Sequence, residues 1–286
     1  MTVDLPQAEA TARTPRGGWT RVLRRPHAVV LAFLLFLAVA GPLIAPHDPV
    51  RPDPVNTLQP PSIDHWFGTD NLGFDILSRV IYATRVDFSL ALIAVLIGGG
   101  IGAVLGAVAA YRGGWLDSVL LRFVEVIQSF PVFLFGIALF AAFGDGQSNL
   151  VIVIAAVNAP LYLRQVRSVL LPLRQAEFVQ AARCAGLSGW AIVWRHLLPN
   201  ARGQILSLFA LTCAYAIQII AGLSFIGLGI EPPNPEWGAM INSGASYIIQ
   251  GIWWPSIFPG LAIVLSVYAL SGLSGQSRSL RPWGDA

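Results

Sequence analysis

Charged residues are scarce in this chain. Only 12% of its 286 residues are Asp, Glu, Lys or Arg, whereas 55% are hydrophobic and the mean hydropathy is +0.65. A soluble globular domain carries about a quarter charged residues, so this composition argues against one. Disordered and collagen-like chains are excluded too, because they need far fewer apolar residues or a Gly-X-Y period. The composition predicts an integral membrane protein.

Lysine is absent, since all 18 basic residues are arginine. A P-loop requires its lysine, so the chain cannot bind and hydrolyse ATP by that route. The two cysteines cannot form a disulfide framework, and no CxxC or Cys/His metal-ligand spacing is present. The histidines are scattered over loops on both sides of the predicted membrane, at His27, His47, His65 and His196. We therefore expect no metal cluster, no bound cofactor and no catalytic site in this chain.

Six apolar stretches are long enough to be considered as membrane spans. A bilayer core of about 30 Å requires about 20 mostly apolar residues per helix. The fourth stretch is the weakest, because Asn158 and Pro160 interrupt it. The sequence thus predicts an all-α membrane protein with six transmembrane helices, at 28–45, 88–110, 119–143, 150–163, 205–229 and 252–273.

The arginines indicate the orientation. Fifteen of the 18 fall on the side that holds both predicted termini, and only Arg51, Arg79 and Arg85 fall on the other side. Because positive loops stay inside, both termini are predicted to be cytoplasmic. The net charge of +3 therefore reflects topology, and no nucleic-acid partner is needed to explain it.

Two segments between the spans are unusually long. The outer segment, 46–87, starts with several prolines and continues into 71–86, where Leu72, Ile76 and Val80 predict the apolar side of a surface helix. The inner segment, 164–203, is too long for a simple connection and favours partner binding. The chain then divides into a tail at 1–27, a first helix at 28–45, an extracytoplasmic segment at 46–87, a core at 88–275 and a tail at 276–286.

The inner segment contains a helix–glycine–helix pattern. Gly186 suits the left-handed conformation that ends a helix, and Ser188 can cap the next helix, which we expect to stop at Pro199. The small side chains of Ala181 and Ala182 permit another surface to approach closely. Two interpretations fit this pattern: a helix pair lying on the lipid, or a docking element for a cytoplasmic protein.

The same residues resemble a known family. Ala181-Ala182, Gly186 and Leu198-Pro199 are similar to the EAA loop of ABC importer permeases, although Gln180 stands where the motif has its first acidic residue. The resemblance implies the type I importer permease fold, in which this loop couples to an ATPase. The implied coupling residues are Glu177, Ala181, Ala182, Gly186, Leu198 and Pro199.

Further stretches resemble one branch of that family, the C-type permeases of dipeptide and oligopeptide importers. The outer segment carries the resemblance in Gly68-Thr-Asp-Asn-Leu-Gly73, followed by Asp75 and Arg79; Phe74 and, near the end, Gln276 depart from the pattern. The resemblance implies an extracytoplasmic gate or a contact with the binding protein, formed by Gly68, Thr69, Asp70, Gly73, Asp75 and Arg79.

The resemblance also implies partners and a cargo. The partners are a homologous second permease, two cytoplasmic ATPase subunits that bind ATP and Mg, an extracytoplasmic solute-binding protein and the lipid of a bacterial inner membrane. The implied cargo is a dipeptide or short oligopeptide, and nickel chelates, glutathione and haem are alternatives. From other classes, an ATPase-independent secondary carrier or channel, or a membrane-anchored scaffold, also remains open.

A few single residues carry further expectations. Gly98, Gly102 and Gly106 predict close helix packing, either within one subunit or between subunits. Arg122 and Glu125 lie three apart and are expected to share a helix face. No second carboxylate is expected deep in a span, which counts against a proton-coupled carrier. An outer aromatic belt is predicted at Trp237, Trp253 and Trp254.

Overall fold

The computed structural model describes residues 26–144, 146–230 and 232–274. Most of the predicted tails, with their arginines and Gln276, lies outside the described residues. In the described part, ten α-helices account for most of the chain. They are α1 Pro26–Ile44, α2 Ile76–Arg112, α3 Gly114–Gln128, α4 Val132–Phe143, α5 Gln147–Leu173, α6 Glu177–Cys184, α7 Gly189–Ile192, α8 Leu198–Phe225, α9 Trp237–Ala245 and α10 Trp254–Ser274.

The helical content confirms an all-α protein with several candidate membrane spans. Among the described residues, five helices or helical runs are long and apolar enough to cross a bilayer: α1, α2, α5, the run Gly189–Phe225 and α10. The predicted third span is a bent pair, because α3 and α4 meet at 92° around Pro131. Proline has no N–H to donate to the preceding turn, which explains why the helix breaks there.

Several predicted bounds differ from the structure, and the inner segment predicted at 164–203 is shorter, because α5 continues to Leu173 and α8 begins at Leu198. Asn158 and Pro160 do not interrupt α5, which is continuous from Gln147 to Leu173, and the Asn158 side-chain amide donates to Ile154 O at 2.9 Å within it. The surface helix expected at 71–86 is instead the first part of α2, which begins at Ile76 and continues into the span without a break. Ile76 is fully buried, so this part of α2 packs against the protein instead of lying on the surface.

Helices α2 and α5 pack closely against each other. A Cβ atom on Gly98, Gly102 or Gly106 would overlap the backbone of Ala155, Ala159 or Leu163, respectively. These three glycines therefore pack against another helix of the same chain. Of the two predicted roles, the structure supports packing within one subunit. Residue numbers rise together along both helices, so α2 and α5 run parallel.

The helix ends define two faces. Gly41 near the end of α1 lies against Ile81 near the start of α2, and Gly272 near the end of α10 lies against His27 at the start of α1. One face thus carries the segment 45–75 between α1 and α2, and we call it the 45–75 face. The opposite face carries the connection 174–197 between α5 and α8, and we call it the 174–197 face.

Candidate functional site

The 174–197 connection has the helix–glycine–helix structure that the sequence predicts. Gly186 ends α6 at φ +76°, where its N–H donates to Arg183 O and the next N–H, of Leu187, donates to Ala182 O. This is the Schellman arrangement, which favours glycine because other residues are strained at positive φ. Ser188 then caps α7 by accepting a hydrogen bond from the Ala191 N–H at 3.3 Å.

The second helix of this connection does not stop at proline. Residues Val193–Leu197 form a π-helical turn that continues directly into α8, and Pro199 occupies the first turn of α8. The expectation that Pro199 terminates a helix is therefore wrong: the connection runs straight into a candidate span.

One side of the connection is packed firmly onto the membrane helices. Val179, Ala182, Ile192, Val193 and Leu197 are buried. Their partners on α2, α5 and α8 are Ala107, Ala110, Tyr162, Val166, Leu170 and Ala201. Ala182 is only 7% exposed, so its methyl group does not face a partner as the sequence interpretation assumed.

The opposite side of the connection is exposed. Glu177, Ala181, Gly186 and Pro199 are accessible, and Leu198 is half-buried. Beside α6 lies an open cleft of about 630 Å³, lined by Leu171, Arg174, Gln175, Gln180 and Arg183. Ala181 and Gly186 therefore present a small-residue surface next to a polar cleft, which another protein could approach closely.

Polar contacts strengthen the attachment of this face. The Arg167 guanidinium on α5 forms a two-pronged ion pair with Asp117 on α3, with Nη2 to Oδ2 at 2.6 Å. Arg174 Nη1 donates to Ala110 O at the end of α2, and the Arg183 guanidinium lies over the Tyr111 ring at 5.4 Å. The bidentate pair fixes α3 against α5, and the Arg174 and Arg183 contacts attach the connection to the end of α2.

The predicted Arg122–Glu125 pair also lies on α3. Its Nη1 and Oε2 atoms are 3.0 Å apart, as the three-residue spacing predicts, and both side chains are largely exposed. This exposed pair stands apart from the attachment described above, and it forms locally within one helix.

On the opposite face, the 45–75 segment is tied to the helices by buried residues. Thr69 is fully buried, with its Oγ1 accepting from Gln59 N–H at 2.8 Å, and its carbonyl accepts from Trp254 Nε1 at 3.1 Å. A Cβ atom on Gly68 would overlap Gln59 O and the Trp254 ring, and one on Gly73 would overlap the Asp53 backbone. These glycines allow the segment to fold back on itself.

Arg79 connects three parts of the chain. Its Nη1 donates to Pro49 O and to Pro233 O, each at 3.1 Å, and its guanidinium lies 4.2 Å from the centre of the Phe74 ring. Phe74 thus forms a cation–π contact with Arg79. Burial raises the pKa of the neighbouring Asp70 carboxyl, although hydrogen bonds from the Leu72 and Phe74 N–H groups and the Arg79 charge oppose the shift.

Asp75 lies at the N-cap of α2 and gathers two histidines. Its Oδ2 accepts from the Ser78 N–H and Oγ–H, at 2.8 and 2.6 Å. Its Oδ1 lies 2.9 Å from His65 Nδ1 and 3.7 Å from His47 Nδ1. The sequence interpretation that the histidines are scattered is therefore wrong for this pair, because the fold joins positions 18 residues apart.

All six predicted residues of the outer site are buried in this chain. The exposed surface of the segment includes the hydrophobic side chains of Val55, Ile63 and Trp66, which are 85%, 91% and 69% exposed. The six predicted residues hold the segment in its fold.

A buried polar cluster was missed by sequence reasoning. The sequence predicts no second deep carboxylate, but Asp87 and Glu236 are both fully buried. Asp87 Oδ2 accepts from the Trp237 N–H at 3.3 Å, and the Glu236 carboxylate caps α9. The signal available in the sequence was an acidic residue directly before the first turn of a helix.

The predicted aromatic belt is wrong for two of its three members. Trp237 is fully buried and donates from Nε1 to Val80 O at 3.2 Å, and Trp254 is 8% exposed. Trp253 alone of the three is substantially exposed, at 46%. The two buried indoles hold α9 and α10 against α2 and the 45–75 segment.

Comparison with known proteins assigns the class. Residues 102–277 match the family model of the binding-protein-dependent transport system inner membrane component. The chain belongs to this family, and it is a multi-pass inner-membrane permease component, not an enzyme. The resemblance to ABC importer permeases is thereby confirmed.

Individual relatives identify the branch of the permease family to which the chain is similar. The chain is 38% identical to the glutathione transport system permease protein of Pectobacterium atrosepticum, over 92% of this chain and 89% of the relative. It is 37% identical to the dipeptide transport system permease protein of Bacillus subtilis, over 89% and 81%. It is 38% identical to the probable D,D-dipeptide transport system permease protein of Escherichia coli, over 84% and 80%. These relatives confirm the dipeptide and oligopeptide branch.

Proposed function

We propose that this chain is the permease subunit of an ATP-driven importer of dipeptides or short oligopeptides, and that its 174–197 connection docks an ATPase. The proposal rests on the difference between the two sides of the connection. One side is buried against α2, α5 and α8, and the other exposes Ala181 and Gly186 beside a polar cleft.

The packing supports a coupling mechanism. A partner that changes shape on binding ATP can bias the permease only through contacts that differ between its two states. Because α6 and α7 share a buried core with three long helices, a displacement of the connection moves those helices as a unit. ATP and Mg are bound by two cytoplasmic partner subunits in this scheme, and a homologous permease completes the pathway.

The proposed topology has six spans and cytoplasmic termini. Helices α2 and α5 run parallel, so the chain between them must return across the membrane, and α3 with α4 is the only described helical segment available for that crossing. The contact of Gly272 with His27 puts the start of α1 and the end of α10 on one face. The arginine bias then supports a cytoplasmic location for the 174–197 face.

The two cysteines test this orientation. Cys184 is exposed on α6, whereas Cys213 is buried and serves as an internal control. A membrane-impermeant thiol reagent is expected to label Cys184 in inside-out vesicles and to leave it unlabelled in intact cells. Labelling in intact cells contradicts the orientation.

On the other face, we propose that the 45–75 segment meets the solute-binding protein. The family is binding-protein-dependent, and the segment exposes Val55, Ile63 and Trp66 on a base fixed by buried polar contacts. Trp66→Ala is expected to weaken capture of the loaded binding protein, because it removes a large exposed aromatic side chain. Unchanged capture by this variant contradicts the proposed contact.

The cargo is proposed from the relatives. Dipeptide permeases support a dipeptide or short oligopeptide, and the 38% identity to a glutathione permease supports glutathione, itself a small peptide, as the second candidate. Nickel chelates and haem remain further alternatives of the same importer class. Mass spectrometry of the ligand that co-purifies with the binding protein distinguishes these cargoes.

Purification of the complete assembly tests the function. The full chain, extracted with mild detergent, is expected to bring two ATPase subunits and one second permease. Reconstituted uptake is expected to require ATP. Uptake without ATPases that collapses with a protonophore would instead support a secondary carrier, for which the buried Asp87 and Glu236 offer a carboxylate pair.

A further inference from the structure

The cluster of His47, His65 and Asp75 has the donor set of a metal site. One ring nitrogen of His47, one ring nitrogen of His65 and a carboxylate oxygen of Asp75 all lie within 4.8 Å of one another. Two imidazoles and one carboxylate form a ligand combination that suits zinc and related divalent cations. The cluster lies on the 45–75 face, away from the proposed ATPase contact.

The carboxylate of this cluster is already oriented. Asp75 has a side chain only 2% exposed, and its Oδ2 is occupied by the Ser78 N–H and Oγ–H. Its Oδ1 is therefore directed toward the two imidazoles. Ligand carboxylates in metal sites are held by such outer hydrogen bonds, which fix the geometry before the ion arrives.

The two histidines are also positioned by the fold. The His47 N–H donates to Ser78 Oγ at 3.0 Å, so the same serine holds both His47 and Asp75. The imidazole rings are 4.7 Å apart between centroids, and the His47 side chain is 43% exposed whereas that of His65 is 15% exposed. Because the edge of His47 is exposed, an ion held by these three residues would have its fourth coordination position open to water.

We propose that His47, His65 and Asp75 form a binding site for one divalent transition cation of the zinc class. The ion joins His47 after α1, His65 in the middle of the 45–75 segment and Asp75 at the N-cap of α2. Water occupies the fourth coordination position of the ion. Binding requires the Nδ1 atoms to be unprotonated, so the proton between His65 Nδ1 and Asp75 Oδ1 leaves or moves to Nε2. The site fastens the 45–75 segment, and it does not depend on which solute is transported.

Metal titration of the purified, tag-free complex tests the site. After treatment with a chelator, the complex is titrated with Zn²⁺ against a chromophoric competitor, and Co²⁺ is used as a spectroscopic substitute. We expect His47→Gln to lose one zinc equivalent per permease chain, or to bind it at least about 100-fold more weakly. Zn²⁺ is also expected to raise the melting temperature of the wild type more than that of the variant.

A matched control separates the site from adventitious zinc. His196→Gln removes a histidine on the 174–197 face and is expected to keep the full zinc equivalent and the Co²⁺ spectrum of a tetrahedral site. His65→Gln is expected to behave like His47→Gln; if it does not assemble, the more exposed His47 variant decides the matter alone. Equal zinc binding by wild type and His47→Gln overturns the proposal.

Discussion

Trp254 Nε1 donates a hydrogen bond to Thr69 O at 3.1 Å, joining the first turn of α10 to the 45–75 segment across 185 positions of sequence. Both residues are buried, so neither partner can exchange this bond for one with water. The segment is therefore part of the folded helix assembly.

Replacing this indole tests the attachment. Trp254→Phe keeps an aromatic ring but leaves the buried Thr69 carbonyl without its donor, at a cost of about 1–3 kcal/mol. We expect a lower melting temperature in detergent and faster proteolysis within 45–75. Trp253→Phe, at a neighbouring and half-exposed indole, is the control and should change neither measurement.

The buried Asp70 carboxyl predicts a pH dependence. Its folded-state pKa is raised above 3.8, so between 3.8 and that raised value the folded state binds more protons than the unfolded state. The stability of the segment should therefore fall as pH rises through this window and stay level above it.

Asp70→Asn isolates this effect, because an amide oxygen can still accept from the Leu72 and Phe74 N–H groups. Melting temperatures of wild type and variant are compared across the acidic range. The wild-type minus variant difference should decline as pH rises through the window. A difference that grows with pH contradicts the assigned direction of the shift.

The contact between α2 and α5 predicts opposite outcomes at two nearby glycines. Gly102→Ala places a methyl group against Ala159 O and should destabilise the permease by about 1–3 kcal/mol through overpacking. Gly100→Ala meets nothing within 4 Å and should be neutral or slightly stabilising, since alanine favours helices. Fluorescence-detected gel filtration after heating measures how much folded protein each variant retains. Equal losses of folded protein in the two variants would contradict the assigned packing.

Gly186 offers a conformational test of the connection. Gly186→Val is strained at φ +76° although the position has open space around it, whereas Gly186→Asn tolerates that conformation better. We expect the valine variant to reduce substrate-stimulated ATP hydrolysis more than the asparagine variant. Equal activities would show that the turn geometry does not matter for coupling.

Local patterns predicted much of this fold. Apolar runs located the helices, and Gly186 and Ser188 have the capping roles that their residue types predict. Local patterns do not predict contacts between positions that are distant in sequence. For this reason the burial of Trp237 and the contact between His47 and His65 were not predicted. The inward direction of Ala182 depends on where α6 sits on α2 and α5, and a loop pattern does not contain that information.

The most direct test of the docking assignment is ATPase retention by a variant at Ala181. Ala181→Arg adds bulk and charge at an exposed small residue of α6, whereas Ala182→Arg would disrupt the buried core and confuse docking with folding. Thr57→Arg adds the same side chain at an exposed position of the 45–75 segment and serves as the control. The account predicts that Ala181→Arg reaches the membrane at normal levels but loses the co-purified ATPase, while Thr57→Arg retains it. Full ATPase retention by Ala181→Arg would contradict the docking assignment.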